Sequence, residues 1–337
     1  MKEEDEKMGK ADKHFIVREV KSQEEKEKLS LIAESRGNIF NTLKWLQIFG
    51  DNIRILGIYG RDEKLVGGFA LYEQKKWGIS IYRDAPYTPY MGPFVSLEAQ
   101  NPVYRRSALK EILTAVAEYL ESFKFSLICL SLNRDIVDTQ PFIWRKFKVN
   151  PRYTYIIDLT QPWDEILKNM SKERRKKISK ALRDGIKVEK VCELDIIKNL
   201  AGKTYKKQGK SIPYEMYLDK ILFEFADETN SFAFVSFLDE QPIAGIFCVH
   251  DKEIAYFLVS GYDHEINHPG AGALAHLEAI KYAKEIGLKY LDFEGSMVPQ
   301  IEFFFREFGG DLVPVFRVSK ANILLEFILK FIKREIF

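Results

Sequence analysis

Two spacings of apolar residues alternate along the chain. Segments such as Tyr153–Leu159 (YTYIIDL) and Ser231–Asp239 (SFAFVSFLD) are short and rich in β-branched and aromatic residues, the composition of strands. Leu274–Gly287 (LAHLEAIKYAKEIG) instead returns apolar residues every few positions, the period of a helix buried on one face. In the first half the pattern predicts an extended segment at His14–Val20, a helix to Ser35, and helical turns through Asn38–Gly50. Strands follow at Ile53–Gly60 and Leu65–Gln74, then a Pro- and Tyr-rich loop (Arg83–Pro93), a helix at Val103–Phe123 and strands at Ser126–Leu132 and Tyr153–Leu159. In the second half a basic helix precedes a strand at Ile186–Val191, helices at Glu193–Lys207 and Tyr214–Asp227, and three strands between Ser231 and Tyr262. A Gly-rich loop, a helix, the strand Lys289–Ser296, the helix Gln300–Gly310 and the strand Leu312–Lys320 complete it. This alternation predicts an α/β (α+β) fold around mixed sheets.

Length changes the picture first: 337 residues suggest two domains rather than one growing core. Charge changes it next. With 51 Lys and Arg against 49 Asp and Glu, the chain is not coated in positive charge for nonspecific nucleic-acid binding. The three cysteines, Cys129, Cys192 and Cys248, are sparse and lack metal-ligand spacing, which fits a reducing cytoplasm, and no zinc motif is formed by the histidines. Residues 1–13 carry no apolar run, so they are expected to be a disordered tail rather than a signal peptide. No stretch reaches the roughly 18 apolar residues a membrane span needs. No Ser-His-Asp or Cys-His arrangement can be argued from spacing, so covalent catalysis has no support.

Against this neutral background Asn169–Gly185 (NMSKERRKKISKALRDG) stands out, with seven basic residues and two acidic ones from Met170 to Gly185. Wound at about 100° per residue, Met170, Ile178, Ala181 and Leu182 share one face, and Arg174 falls in the middle of it. Lys176, Lys180 and Arg183 point the other way, while Arg175 and Lys177 flank the stripe. An inward guanidinium cannot shed its charge and needs a carboxylate or phosphate. A structural salt bridge and a bound anion in a cleft between domains both meet that need. In NHPGAGA (Asn267–Ala273), Gly270 and Gly272 open a helix, either to leave amides free for a phosphate or to fit a tight turn and close packing. In LDFEGS (Leu291–Ser296), period-two alternation puts Asp292 and Glu294 on one strand face. Glu294 is then either a general base with a raised pKa or the buried partner of a cation such as Arg174 or Arg306. Tyr87, Tyr90, Tyr205, Tyr214, Tyr256 and Tyr262 are single core residues or, as a set, the lining of a site for a polar, elongated substrate.

The order strand, Gly-rich loop, helix, strand with DFEG, helix, strand resembles the GCN5-related N-acetyltransferase (GNAT) fold. NHPGAG resembles its pyrophosphate loop, with Asn267 where that family has Gln or Arg. NIFNTLKW, PYTPYMGP, YTYIIDL, MSKERRKKISKAL and DFEGSMVPQIEFFFREFGG, in that order over nearly the whole chain, resemble the Fem-type branch. Its best-known members are tRNA-dependent peptidoglycan aminoacyltransferases built from two tandem GNAT-like domains. The resemblance implies GNAT-like domains at 14–160 and 161–320, each a mixed twisted sheet flanked by helices, and a C-terminal amphipathic helix at 321–337. It implies an anionic, amine-bearing acceptor in the cleft between domains. The family arginine that contacts the acceptor's diphosphate maps onto Arg174 or Arg175, and the inward angle favours Arg174. Arg306 stands where peptidoglycan members often carry lysine; it can neutralise an oxyanion but cannot act as a base.

The expected activity is acyl or aminoacyl transfer from an activated ester or thioester to an amine, in a cytoplasmic bacterial enzyme. The acceptor is expected to be anionic, with a cell-wall precursor as one class. Asp292 and Glu294 are the expected catalytic residues, with Glu294 the base. Arg174, Arg175, Tyr214, Tyr256, Tyr262 and Arg306 are the expected substrate contacts, and Asn267, Gly270 and Gly272 the donor-binding loop. The donor is acetyl-CoA or another acyl-CoA on one reading and aminoacyl-tRNA on the other; no metal is expected. Two alternatives remain, a CoA-dependent N-acetyltransferase of a small molecule or sugar nucleotide, and a noncatalytic anion-binding module in a GNAT shell. Finally, ANILLEFILKFIKREIF forms an apolar stripe through Leu324, Leu325, Ile328, Leu329 and Ile332, widened by Phe327 and Phe331. With Lys330, Lys333 and Arg334 near its end, it either packs on the protein or makes peripheral contact with a membrane.

Overall fold

The computed structural model describes residues 15–76, 78–97, 101–266, 268–295 and 297–332. The expected tail, Asn267, Lys333 and Arg334 lie outside the described residues. The chain divides into two units, Met1–Pro151 with Val315–Phe337, and Arg152–Pro314. The boundary expected near Thr160 is thus at Pro151, and the closing strand returns to the first unit. Hydrogen bonding is the reason: Arg317–Ala321 pair with Leu127–Ser131.

The first unit runs β1 (Phe15–Glu19), α1 (Gln23–Arg36), α2 (Leu43–Leu46) between two short 3-10 turns, β2 (Ile53–Gly60), β3 (Leu65–Lys76), β4 (Ile79–Arg83), β5 (Phe94–Val95), α3 (Pro102–Ser122), β6 (Leu127–Ser131) and α4 (Gln140–Trp144). Gly50, at φ +54, turns the chain out of the helical pieces into β2, a conformation that favours glycine. Asn101 caps α3 by accepting the Val103 amide, with Pro102 in the first turn. The Pro- and Tyr-rich loop is bolted to the core. Asp84 accepts from the Ser131 amide and hydroxyl at 2.9 and 2.7 Å and pairs with Arg317 at 3.3 Å.

The second unit begins within β7 (Lys148–Asp158) and continues through α5 (Trp163–Asn169), α6 (Lys172–Arg183), β8 (Lys187–Val191), α7 (Asp195–Lys207) and α8 (Glu215–Lys220), which ends in a π turn at Ile221–Phe225. Then come β9 (Ser231–Leu238), β10 (Gln241–His250), β11 (Ile254–Tyr262), α9 (Ala271–Glu285), β12 (Tyr290–Asp292) and α10 (Pro299–Arg306). β13 (Asp311–Ala321) leads back to the first unit and to α11 (Ile323–Ile332).

The two units share a plan. In the first, strands pair in the order β1-β2-β3-β4-β6-β13, antiparallel except for β4 and β6. In the second the order is β8-β9-β10-β11-β12-β7, antiparallel except for β11 and β12. Each parallel pair is bridged by a helix, α3 or α9, because parallel neighbours need a crossover. α9 buries Ala271, Leu274, Ala275, Ala279, Ile280 and Ala283 in the core of its unit. Its alanines allow the close approach. β4 was not anticipated; it is short and only partly buried, which weakens its apolar signal.

Candidate functional site

β11 outruns its parallel neighbour. Only Ile254–Tyr256 pair with β12, so from Phe257 to Tyr262 that edge has no strand beside it among the described residues. On the other edge the register with β10 slips: Phe247 faces Val259 but Cys248 faces Phe257, leaving Leu258 as the extra residue of a bulge. α7 lies directly on the end of β11, where a Cβ on Gly261 would stand 2.2 Å from the Ala201 nitrogen. The Thr204 hydroxyl accepts the Tyr262 amide at 2.8 Å.

A cavity of about 290 Å³ is lined by this stretch and by the first turns of α9, including Ser260, Tyr262, Gly272, Ala273, His276 and Phe304. The loop entering α9 is held in place. The Tyr262 hydroxyl donates to the His268 carbonyl at 2.9 Å, and His268 Nδ1 accepts the Gly270 amide at 3.1 Å while its Nε2 meets Asp184 at 3.0 Å. The two glycines have different work. A Cβ on Gly270 would stand 2.1 Å from the Lys177 carbonyl oxygen, so this glycine lets α9 touch α6. Its expected donor-binding role is corrected to packing. A Cβ on Gly272 would meet nothing within 4 Å. The amides of Gly272 and Ala273 have no acceptor among the described residues, and α9 has no side-chain cap. Free amides at a helix start carry partial positive charge and suit an anion.

Beside the cavity, Arg174 lies between the rings of Phe304 and Phe308, 4.1 and 4.5 Å from their centroids. Its side chain is 2% exposed, stands 3.0 Å from Glu307 Oε2 and donates to the Phe304 carbonyl at 2.8 Å. The Glu307 contact is a charge pair rather than an aligned hydrogen bond, since neither Arg174 Nε nor Glu307 Oε2 has a hydrogen-bond partner. Burial pulls the guanidinium down to about 10, opposed by Glu307, so it remains charged at neutral pH. The structure therefore has the internal salt bridge, and the expectation that Arg174 binds an acceptor is corrected: its charge is enclosed and already matched.

His276 projects into the same aromatic nest and stacks on Phe257 at 4.2 Å. It is 4% exposed, with Nδ1 2.6 Å from the Gly272 carbonyl oxygen. Nε2 has no partner. Burial brings its pKa down to about 3, with Arg174 assisting and the Gly272 carbonyl opposing. The ring is neutral at pH 7 and donates from Nδ1.

Asp292 is 1% exposed and accepts the Thr154 hydroxyl at 2.5 Å and the Glu294 amide at 2.7 Å. Glu294 lies beyond β12 at φ +56, so the period-two alternation fails there. Its Oε1 is buried without a partner, and burial, then the charge of Asp292, raises its pKa well above the carboxylate range. Neither residue lines the cavity. Burial thus favours the protonated form of Glu294, and both carboxyls stand outside the lining of this cavity, so the cavity gives the expected base assignment no support.

Of the remaining expected contacts, Tyr262 alone lines the cavity. Arg175 is exposed on α6. Tyr214 is 44% exposed and begins α8 in a left-handed turn. Tyr256 is buried and donates to Asp251 at 3.1 Å. Arg306 pairs with Glu302 at 3.4 Å on the surface. Leu182, placed on the buried stripe of α6 by its angle, is 59% exposed at the stripe's edge. Sequence reasoning missed Thr204, Gly261, His276 and Glu307. Only His276 left a signal, a lone imidazole on an apolar helix face.

Residues 169–299 match the family model for the acetyltransferase (GNAT) domain. No curated protein matches the chain. Among solved structures, a FemX crystal structure aligns with TM-score 0.66 at 16% identity, covering 93% of this chain and 99% of that one. A tandem GNAT protein from the clavulanic acid biosynthesis pathway aligns with TM-score 0.56 at 9% identity, over 91% of this chain and 98% of that one. L-PGS from Bacillus licheniformis aligns with TM-score 0.54 at 14% identity, over 92% of this chain and 96% of that one. At these identities the likeness is one of fold: a tandem GNAT arrangement, as the sequence motifs implied.

Two predictions follow from the site's packing and its buried titratable groups. Gly270→Ala should lower stability in urea unfolding by about 2 kcal/mol, because α9 must move off α6, whereas Gly272→Ala should be neutral or slightly stabilising. Equal effects would contradict the different roles given to the two glycines. The second concerns pH. Glu294, raised from 4.5, favours the fold fully below that value and loses the contribution as pH rises through its folded pKa. His276, lowered from 6.5 to about 3, favours the fold above 6.5 and loses the contribution as pH falls toward 3. Each slope reaches at most about 1.4 kcal/mol per pH unit. Unfolding measured across this range should lose the first slope in Glu294→Gln and the second in His276→Phe; unchanged slopes would refute the burial of these groups.

Proposed function

We propose that the chain is an N-acyltransferase whose second unit takes an acyl thioester of the acetyl-CoA class. The phosphates of the donor lie at the amino end of α9 and its thioester lies against the free edge of β11. The observation that carries this reading is the pair of unpartnered amides, Gly272 and Ala273, opening on a 290 Å³ cavity beside that edge. An amine attacks the thioester carbonyl, the C–S bond breaks, and the thiolate that leaves takes up one proton as the nitrogen gives one up. On this reading backbone amides of β11 beyond the bulge donate to the developing oxyanion. The residues lining the cavity include no carboxylate but do include His268 and the hydroxyls of Ser260 and Tyr262, and on this reading the proton passes from the nitrogen through these groups and water to the thiolate.

The acceptor in this proposal is anionic. Lys172, Arg175 and Arg183 are exposed on α6, without ion-pair partners among the described residues, and α6 abuts the loop that opens α9. A cell-wall precursor is the finer form of this acceptor, and an aminoacyl ester in place of the thioester is the competing donor. The apolar face of α11 supports peripheral attachment to an anionic bilayer: Ile323, Leu324 and Phe327 are 90%, 74% and 65% exposed, and the sequence beyond adds Lys333 and Arg334. No helix among the described residues is long and apolar enough to cross a membrane.

Calorimetry with acetyl-CoA tests the donor site. The wild type should bind, and Gly272→Asp, which has room to fold, should bind at least tenfold more weakly because a carboxylate then occupies the phosphate position. Binding of aminoacyl-tRNA but not acetyl-CoA would overturn the thioester assignment. Sedimentation with anionic liposomes tests α11: the full chain should pellet and a chain truncated after Lys320 should not. Equal behaviour of the two would remove the membrane assignment.

A further inference from the structure

We propose that one end of the first unit docks on an anionic bilayer, with Lys124 and Lys146 meeting lipid phosphates and Ile79 adding an apolar contact beside α11. This rests on the reading of α11 as a bilayer contact and extends it to residues distant in sequence. Backbone hydrogen bonds bring the stretches together. The Ser126 amide donates to the Ser80 carbonyl at 2.8 Å, and the Asn322 amide donates to the Ser126 carbonyl at 3.0 Å. The tip of the β3–β4 hairpin, the turn between α3 and β6 and the entry to α11 therefore lie at one end of the sheet. Another stretch joins them there. Lys148, at the start of β7, pairs with Glu326 of α11 at 3.0 Å, and Lys320 donates to the Arg145 carbonyl at 2.9 Å. Asn322 caps α11 by accepting the Leu325 amide at 2.9 Å, so the helix starts at a fixed place.

Exposure and charge point to the partner. Ile323, Leu324, Phe327 and Ile328 stand exposed along α11, and Ile79, next to Gly78 at the hairpin tip, is 42% exposed. The carboxylates on these stretches are neutralised. Glu118 and Glu121 pair with Arg145, Glu121 also with Lys320, and Glu326 with Lys148. Lys124 and Lys146 are exposed and have no ion-pair partner among the described residues. Lys124 lies two residues before Ser126 and Lys146 two before Lys148, so both flank the root of α11. This end thus combines exposed aliphatic and aromatic side chains with uncompensated positive charge. A protein partner suits it poorly, because lysine is depleted in the buried core of protein interfaces. A bilayer suits it, since lysine stems run past apolar side chains and carry their ammonium groups to the level of the phosphates. Each such lysine adds an attraction to anionic lipid that salt screens.

The test sediments the full chain with vesicles of phosphatidylcholine, alone or mixed with phosphatidylglycerol, at low and high salt. The wild type should pellet with the mixed vesicles, and less so at high salt. Lys124→Glu combined with Lys146→Glu should weaken that binding by at least about tenfold and flatten its salt dependence. Lys206→Glu with Lys210→Glu, two exposed sites in the second unit, changes the net charge equally and should have less than about a twofold effect. A second measurement places a polarity-sensitive dye on Ile79→Cys in a Cys192→Ser background, since Cys192 is the exposed cysteine. Its emission should shift to the blue with the mixed vesicles. Undiminished binding of the Lys124 and Lys146 variant, or equal loss in both double variants, overturns this inference and leaves α11 standing as the membrane contact. An unmoved dye emission on pelleted protein overturns the place given to Ile79. If the wild type pellets with neither vesicle, the bilayer reading of α11 fails and this inference fails with it. The dye measurement keeps both lysines, so a misfolded charge variant leaves the test decisive.

Discussion

A permanent cation enclosed in apolar surroundings governs the second unit. Arg174 cannot neutralise itself, so the fold must keep Glu307 beside it, and the rings of Phe304 and Phe308 complete the enclosure. Ser171 reinforces the link, with its amide on the Glu307 carbonyl and its hydroxyl on the Glu307 carboxylate, both at 3.0 Å. The start of α6 is thereby fixed to the end of α10. Removing one partner of such a pair costs about 3–5 kcal/mol, a large part of any domain's stability. The charge also reaches the site without touching its cavity, because it helps keep His276 neutral.

From that bolt the geometry propagates by close contacts. α6, held by Arg174, receives α9 at Gly270, where only the absence of a side chain permits the approach. Two residues further on, Gly272 faces open space, and the amides of Gly272 and Ala273 have no acceptor among the described residues. On the sheet side, α7 sits on Gly261 and the bulge at Leu258 interrupts the regular ladder of β11. The empty region is therefore bounded by rigid pieces, which suits a reaction that depends on positioning more than on a reactive side chain.

Much of this was legible from spacing alone. Most of the strand and helix order, the opening of α9 at the glycines and the inward direction of Arg174 follow from local pattern, which is strong in long amphipathic segments. The Arg174 partner was not legible, since Glu307 is distant in sequence and only folding brings it near. Glu294 misled because period-two reasoning assumes a strand, and the chain leaves the strand at Asp292 for a left-handed turn. Gly270 and Gly272 look alike in sequence, and only the neighbour at Lys177 separates packing from opening. The return of Val315–Phe337 to the first unit was hidden for the same reason: strand pairing partners are not written in local pattern.

Diffraction from crystals soaked in acetyl-CoA tests the central claim most directly, that the donor lies between the amino end of α9 and the free edge of β11. The account requires diphosphate density within hydrogen-bonding distance of the Gly272 and Ala273 amides, with the thioester beside the β11 residues that follow Leu258. Density for a bound donor elsewhere on the chain, with those amides still unoccupied, would contradict it.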